Sequence, residues 1–182
     1  MNLLNLEENI IDIIQEQQLK LGYRKETLRL YYPLLSLNRL LGTNCDISQM
    51  QAALKSFCSF TQERLGQIEV THQKDRFCLI IPTQGSEYVH EHTEDDSFLR
   101  EFINTISRHN VSMEEVLQQF HKHSEHVRVE QPENAEFDYL VFFEDGIPDS
   151  YRYCITNEGC HISYHRFTIE DYNDLQSETK LP

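Results

Sequence analysis

The spacing of the apolar residues changes along the chain from a helical period to a strand period, and this change most limits the possible folds. Up to residue 65, apolar side chains recur every three or four positions, which predicts helices over about residues 5–20, 24–41 and 47–65. Pro33 interrupts the second of these helices or begins a new first turn. Residues 68–82 instead hold two short apolar runs separated by His72–Arg76, a pattern typical of a β-hairpin. Three helices followed by a hairpin predict a winged-helix-like arrangement.

The second half of the chain again has a helical pattern followed by a strand pattern. Apolar spacing predicts helices over about residues 97–109 and 112–126, and Ser112 with Glu115 forms a capping box for the second. Strand-like segments follow at about 127–130, 137–144, 150–156 and 160–167, and turn residues connect the last three. Thr168 with Asp171 favours a short final helix. The sequence therefore predicts an α+β fold that ends in an antiparallel β-meander.

These patterns predict three segments along the chain. Residues 1–82 are the helical, winged-helix-like half, and residues 97–182 are an acidic α+β half. Residues 83–96 are polar and acidic, so they are the candidate linker, although one compact domain overall is the alternative.

The composition indicates a cytoplasmic protein without membrane association. The longest apolar run, residues 77–81, is far shorter than the roughly 18 residues of a membrane-spanning helix. The N-terminus has neither the basic region nor the apolar block of a signal peptide. Five cysteines at irregular spacing fit reduced thiols better than a disulfide framework.

The net charge lies entirely in the second half. Residues 1–82 hold nine basic and nine acidic side chains, whereas residues 83–182 hold seven basic and 21 acidic ones. Nucleic acids are bound by clustered lysines and arginines, so nucleic acid is not the expected partner. A protein partner with a basic surface would instead be attracted to residues 83–182. The alternative is that these acids only keep the protein soluble.

Six of the nine histidines lie within 37 residues, which raises the question of a metal site. They are His90, His92, His109, His121, His123 and His126. In an extended segment His90 and His92 would lie about 7 Å apart on one face, with Glu94 and Asp96 as possible oxygen ligands. His121, His123 and His126 cannot all lie on one helix face. Solvated surface histidines are the simpler interpretation, and a metal-binding protein or metal-dependent hydrolase using residues 90–126 is the alternative function.

One face of the predicted meander is a candidate for ligand or partner binding. If Asn157–Gly159 forms a three-residue turn, Tyr153 faces Ser163 across the two strands. That face would then carry rings, a hydroxyl and imidazoles, a mixture suited to binding. Its candidate residues are Tyr151, Tyr153, His161, Ser163 and His165. A half-buried sheet face under the helices is the alternative.

No catalytic residue is identified. Cys160 and His161 are not expected to act together, because neighbours in a strand point to opposite faces. The chain has no Gly-rich phosphate loop and no nucleophile elbow. The leading hypothesis is a non-enzymatic binding or interaction module that carries no cofactor.

Three segments resemble a family of uncharacterised proteins from anaerobic gut bacteria, classed as a domain of unknown function. They are the run Leu21-Gly22-Tyr23-Arg24-Lys25-Glu26-Thr27-Leu28-Arg29-Leu30-Tyr31-Tyr32-Pro33 and the pair Phe142-Phe143-Glu144-Asp145-Gly146 and Asn157-Glu158-Gly159. The resemblance spans most of the chain and implies a cytoplasmic bacterial protein. It supplies no activity and no catalytic residue.

Overall fold

A computed structural model describes residues 1–92, 97–133 and 135–178, with side chains described as far as Asn173. The chain divides into two compact units, Met1–Glu94 (unit 1) and Asp95–Pro182 (unit 2). Helices and antiparallel strands occur in both, which confirms the α+β prediction. No helix in the described part of the chain combines the length and the apolar character that crossing a membrane requires.

Unit 1 has the element order and strand pairing of a winged helix. Its elements are α1 (Leu3–Leu21), β1 (Leu28–Pro33), α2 (Leu34–Leu41), α3 (Ile47–Leu65), β2 (Glu69–Gln73), β3 (Arg76–Ile81) and α4 (Thr83–His92). The three strands form one antiparallel sheet in the order β1-β3-β2. The predicted winged-helix-like arrangement of three helices and a hairpin is therefore confirmed.

The prediction of one helical region over residues 24–41 is wrong in its first part. Residues 28–33 form strand β1, in which Leu28 and Tyr32 are buried while Arg29 and Tyr31 are exposed. That alternation has the period of a strand. Pro33 also disfavours a helical backbone at the residue before it, and it serves as the N-cap of α2.

The predicted linker is wrong over residues 83–92, which form helix α4 of unit 1. Its buried side consists of Gly85, Ser86 and Val89, so no apolar stripe marks the helix in the sequence. A β-carbon on Gly85 would lie 2.5 Å from Cγ2 of Ile81, which shows how closely α4 packs. Gln18 Nε2 donates to the backbone oxygen of Ser86 at 2.8 Å and ties α4 to α1.

The core of unit 1 lies between the helices and the inner face of the sheet. Fully buried residues recur along α1 at helical spacing and along β3 at every second position, as two elements facing one core require. The fully buried members include Leu6, Ile10, Ile14, Leu37, Leu41, Met50, Leu54, Phe57, Phe77, Leu79 and Ile81.

Unit 2 consists of two helices, a four-stranded meander and a final helix. Its elements are α5 (Ser97–Ile106), α6 (Met113–His123), β4 (Val127–Glu130), β5 (Tyr139–Phe143), β6 (Arg152–Asn157), β7 (Ile162–Phe167) and α7 (Ile169–Glu178). The strands pair antiparallel in chain order, which confirms the predicted meander. The predicted capping box between Ser112 and Glu115 is also present.

The core of unit 2 is a cluster of aromatic rings from α5, α6 and the sheet. Phe98, Phe120, Phe143 and Tyr153 are each fully buried. The Phe98 ring meets the Phe143 and Phe120 rings edge to face, with centroids 4.9 and 5.0 Å apart. Such edge contacts add to the stabilisation from buried area alone.

A buried polar network lies beside this cluster. The Tyr153 hydroxyl donates to Asp149 Oδ2 at 2.5 Å, and Arg166 Nη1 donates to the same oxygen at 3.2 Å. The side chains of Arg166 and Asp149 are only 4 and 5% exposed. Burial, reinforced by the negative charge of Asp149, raises the pKa of Tyr153 well above its ordinary value. The phenol is therefore neutral, and Asp149 balances the buried charge of Arg166.

We expect Asp149→Asn to lower the free energy of unfolding by about 3 kcal/mol, because the substitution removes a buried carboxylate charge that lies 3.2 Å from the buried Arg166 guanidinium. Urea denaturation followed by far-UV circular dichroism measures the change. Asp145→Asn is the matched control, because Asp145 is exposed on the same loop. Equal unfolding midpoints for the two variants would show that the buried pair does not stabilise unit 2.

Candidate functional site

A groove between α3 and β2 is a candidate site of unit 1. It has a volume of about 290 Å³ and opens to solvent. Its lining residues are Gln51, Lys55, Cys58, Ile68, Val70 and His72. This volume lies near the lower limit of the pockets that bind small ligands, which start at about 300 Å³.

Helical and strand periodicity bring these six side chains together. Gln51, Lys55 and Cys58 follow one another at i, i+4 and i+7, so they lie along one face of α3. The other wall consists of Ile68, just before β2, and of Val70 and His72 within it. These are alternate positions, so their side chains point to the same face of the strand. The pairing of β2 with β3 holds this second wall in place, with Val70 opposite Leu79.

The groove has an apolar floor and a polar rim. Ile68 is buried, and Cys58 and Val70 are half-buried, whereas Gln51, Lys55 and His72 are exposed. Burial raises the pKa of the Cys58 thiol, so this group stays neutral and acts as part of the apolar floor.

Two rim side chains supply polar contacts of different kinds. Lys55 has no ion-pair partner among the described residues, so its ammonium group can bind an anionic group. His72 Nδ1 lies 3.3 Å from the backbone oxygen of Lys74, and a carbonyl can only accept. The proton of a neutral His72 ring is therefore on Nδ1, which leaves Nε2 as an acceptor.

The sequence did not single out this groove. The helical spacing of Gln51, Lys55 and Cys58 and the alternation of Ile68, Val70 and His72 could each be seen in it. Neither pattern shows that the two faces lie opposite each other, because that depends on packing between elements distant in sequence.

One of the four cations on α3 and the hairpin is committed to an ion pair within unit 1. Of the four lysines and arginines there, Arg64 places Nε 2.7 Å from Oε1 of Glu7, which is buried on α1. Burial raises the pKa of Glu7, while the ion pair with Arg64 opposes that rise. The Arg64 charge is thus directed towards Glu7, and the acids Glu63 and Asp75 accompany the cations that remain.

The predicted metal ligands His90 and His92 do not share a face, because residues 83–92 form a helix rather than an extended segment. Positions two apart on a helix lie about 200° apart around its axis. His90 stacks on Tyr23 with ring centroids 4.1 Å apart, and His92 stacks on Tyr88 at 4.4 Å. Their expected pairing is therefore wrong.

The other predicted ligands do not complete a metal site with them. Glu94 and Asp96 lie outside the described residues. Among the described residues, no group of three or more His, Cys, Asp or Glu side chains is placed to hold one ion.

The histidines of α6 make separate contacts. His123 Nε2 lies 3.0 Å from Glu101 Oε2, which also accepts from Lys122 Nζ at 2.6 Å. These two bonds, that from Lys122 first, hold the pKa of Glu101 below its ordinary value. His126 lies beyond the end of α6, which is at His123.

The candidate face of the meander is divided by the register of β6 and β7. Tyr153 pairs with Arg166 rather than Ser163, because four residues, 158–161, connect Asn157 to its partner Ile162. This odd shift of three positions moves Ser163 and His165 to the opposite face of the sheet from Tyr153. The predicted register is therefore wrong, and Tyr153 lies in the aromatic core.

The remaining residues of that candidate face are also separated. Tyr151 lies under the Arg166 guanidinium, 4.1 Å from its ring centroid. His161 lies in the connection before β7, not in the strand. The assumption that Cys160 and His161 are strand neighbours is therefore wrong, and their side chains are in contact.

Residues 3–176 match the family described as "Domain of unknown function, E. rectale Gene description (DUF3877)". The match confirms the resemblance drawn from the sequence. No curated protein and no solved structure matches the chain significantly.

We expect no saturable complex with a DNA duplex at physiological salt, with any affinity weaker than the roughly 100 µM of non-specific binding. Only three lysines or arginines of α3 and the hairpin lie outside the Arg64–Glu7 ion pair, and the acids Glu63 and Asp75 lie between them in the sequence. Fluorescence anisotropy with a labelled duplex is the measurement. The double variant Glu63→Lys, Asp75→Lys is the positive control and should gain affinity. Saturable binding by the natural chain that is lost in Lys55→Ala would contradict this expectation.

Proposed function

The chain belongs to the DUF3877 family, and we propose that it is a cytoplasmic, non-enzymatic module that binds a protein partner through the groove of unit 1. The observation that carries the proposal is the combination of an apolar floor with an unpaired cation on the rim. Binding sites typically combine an apolar surface with a few polar groups that fix orientation. A basic partner for the acidic residues of unit 2 stays a separate prediction.

The chemistry of the groove favours one kind of occupant. The floor formed by Cys58, Ile68 and Val70 suits an apolar side chain. Lys55 on the rim suits a carboxylate close to that side chain. The proposed occupant is therefore a short segment of the partner in which an apolar residue lies beside an aspartate or glutamate.

The position of β2 favours an extended peptide over a compact small molecule. Within the described part of the chain, strand β2 pairs only with β3, so it is an edge strand of the sheet order β1-β3-β2. Edge strands accept extended peptides through backbone hydrogen bonds, while pockets beside them take alternate side chains. Here the groove lined by Val70 lies directly beside such an edge.

The cytoplasmic location is part of the same proposal. All five cysteines are free thiols, and the groove includes one of them, Cys58. Free thiols persist in the reducing environment of the cytosol.

We expect the immobilised full chain to enrich, from a phage-displayed random peptide library, peptides that carry an apolar residue next to an acidic one. Lys55→Glu should weaken binding of an enriched peptide by about tenfold, because it replaces attraction with repulsion at the rim. Isothermal titration calorimetry with the synthetic peptide measures this change.

Arg29→Glu is the matched control, because it makes the same charge change at an exposed position of β1 that is not among the six lining residues. Its affinity for the peptide should equal that of the natural chain. Failure to enrich any peptide, or equal weakening by both variants, would overturn the proposed function.

A further inference from the structure

The connection between β6 and β7 holds a thiol, an imidazole and a carboxylate in contact. Cys160 Sγ lies 3.6 Å from Nδ1 of His161, and Nε2 of the same ring lies 2.8 Å from Oε2 of Glu158. Ser163 Oγ donates to the other carboxylate oxygen of Glu158 at 2.9 Å. Cys160, His161 and Glu158 therefore form a hydrogen-bonded relay, and Ser163 fixes the position of the Glu158 carboxylate.

We propose that Cys160 is a reactive thiol that exchanges with low-molecular-weight disulfides, with His161 as its base and Glu158 as the residue that positions His161. The relay has the order that thiol chemistry requires: nucleophile, base and a group that orients the base. Cys160 is also exposed, so a small disulfide can reach it. This site is independent of the groove in unit 1.

The contacts of Glu158 determine which nitrogen of His161 can act as the base. An ionised carboxylate only accepts hydrogen bonds, so Nε2 of His161 carries the proton that Glu158 accepts. In the neutral ring Nδ1 then has a free lone pair and can accept the S–H of Cys160. Once His161 has taken that proton, Glu158 stabilises the imidazolium.

Backbone contacts fix the position of the thiol relative to the ring. The Glu158 N–H donates to the carbonyl of His161 at 3.0 Å and closes the four-residue connection. The Asn110 N–H donates to the carbonyl of Cys160 at 3.0 Å, which ties the connection to the segment before α6. These two backbone hydrogen bonds therefore fix the conformation of the connection that carries Cys160 and His161.

The reaction is an exchange in which the low-molecular-weight disulfide is itself the oxidant. His161 removes the proton of Cys160, and the thiolate attacks one sulfur of the disulfide RS–SR. A bond forms between Cys160 Sγ and that sulfur, while the S–S bond breaks and RS⁻ leaves. The leaving thiolate takes the proton from His161. The Cys160 sulfur is oxidised, the departing sulfur is reduced, and a thiol reverses the reaction.

Among the described residues, the other four cysteines are less exposed than Cys160, and none of them has a histidine contact like that of Cys160 with His161. Cys78 and Cys154 are buried, and burial raises the pKa of Cys154 to about 12. Cys58 has a pKa raised by burial, and Cys45 is half-buried. Exchange should therefore occur at Cys160 first.

The test uses the full chain and oxidised glutathione at about pH 7, with mass spectrometry of the intact chain and of its peptides giving the rate at each cysteine. Cys160 should be modified first. His161→Gln should slow that modification by about tenfold, because it removes the base and keeps the thiol exposed. Glu158→Gln weakens the hydrogen bond that orients the His161 ring, so it should slow the modification of Cys160 by less than tenfold.

His165→Gln is the matched control, because it removes an exposed histidine from β7, outside the relay. It should react like the natural chain. At about pH 10 the natural chain and His161→Gln should react at similar rates, because a thiol then ionises without a base. Equal rates for the natural chain and His161→Gln at about pH 7 would overturn the proposal. Modification of another cysteine before Cys160 would do the same.

Discussion

Strand β3 is the element on which the arrangement of unit 1 depends. It pairs with β1 on one side and with β2 on the other, which places Leu28 opposite Ile81 and Val70 opposite Leu79. Phe77, Leu79 and Ile81 are fully buried, and each such side chain contributes about 2 kcal/mol. The groove depends on this pairing, because β2 forms one wall of the groove and β3 holds β2 in register.

An ion pair between α1 and α3 reduces the number of free cations on α3. Glu7 is buried on α1 and attracts Arg64 near the end of α3, so one cation of the helix is committed within the unit. Lys55 remains on the rim of the groove with no ion-pair partner among the described residues. A single cation above an apolar floor suits a short protein segment better than a chain of phosphates.

The sequence predicted those elements in which local pattern and final packing agree, and α6 with its Ser112–Glu115 capping box is the clearest example. The prediction of a helix was wrong at β1. Leu30, Leu34, Leu37 and Leu41 fit a helical stripe, but Leu30 lies in the strand.

The candidate sites were harder to predict for a related reason. The register of β6 and β7 depends on the length of one connection, so an error there moved Ser163 to the other face and concealed the contact between Cys160 and His161. The groove depends on packing between α3 and β2, which no local pattern reports.

Hydrogen–deuterium exchange of the full chain, saturated with a peptide enriched from the library, shows whether the groove of unit 1 is the binding site. We expect slower amide exchange in residues 51–58 of α3 and in residues 68–73, because bound peptide shields both walls and pairs with the edge of β2. Protection confined to residues 97–178, with no change in α3 or β2, would contradict it.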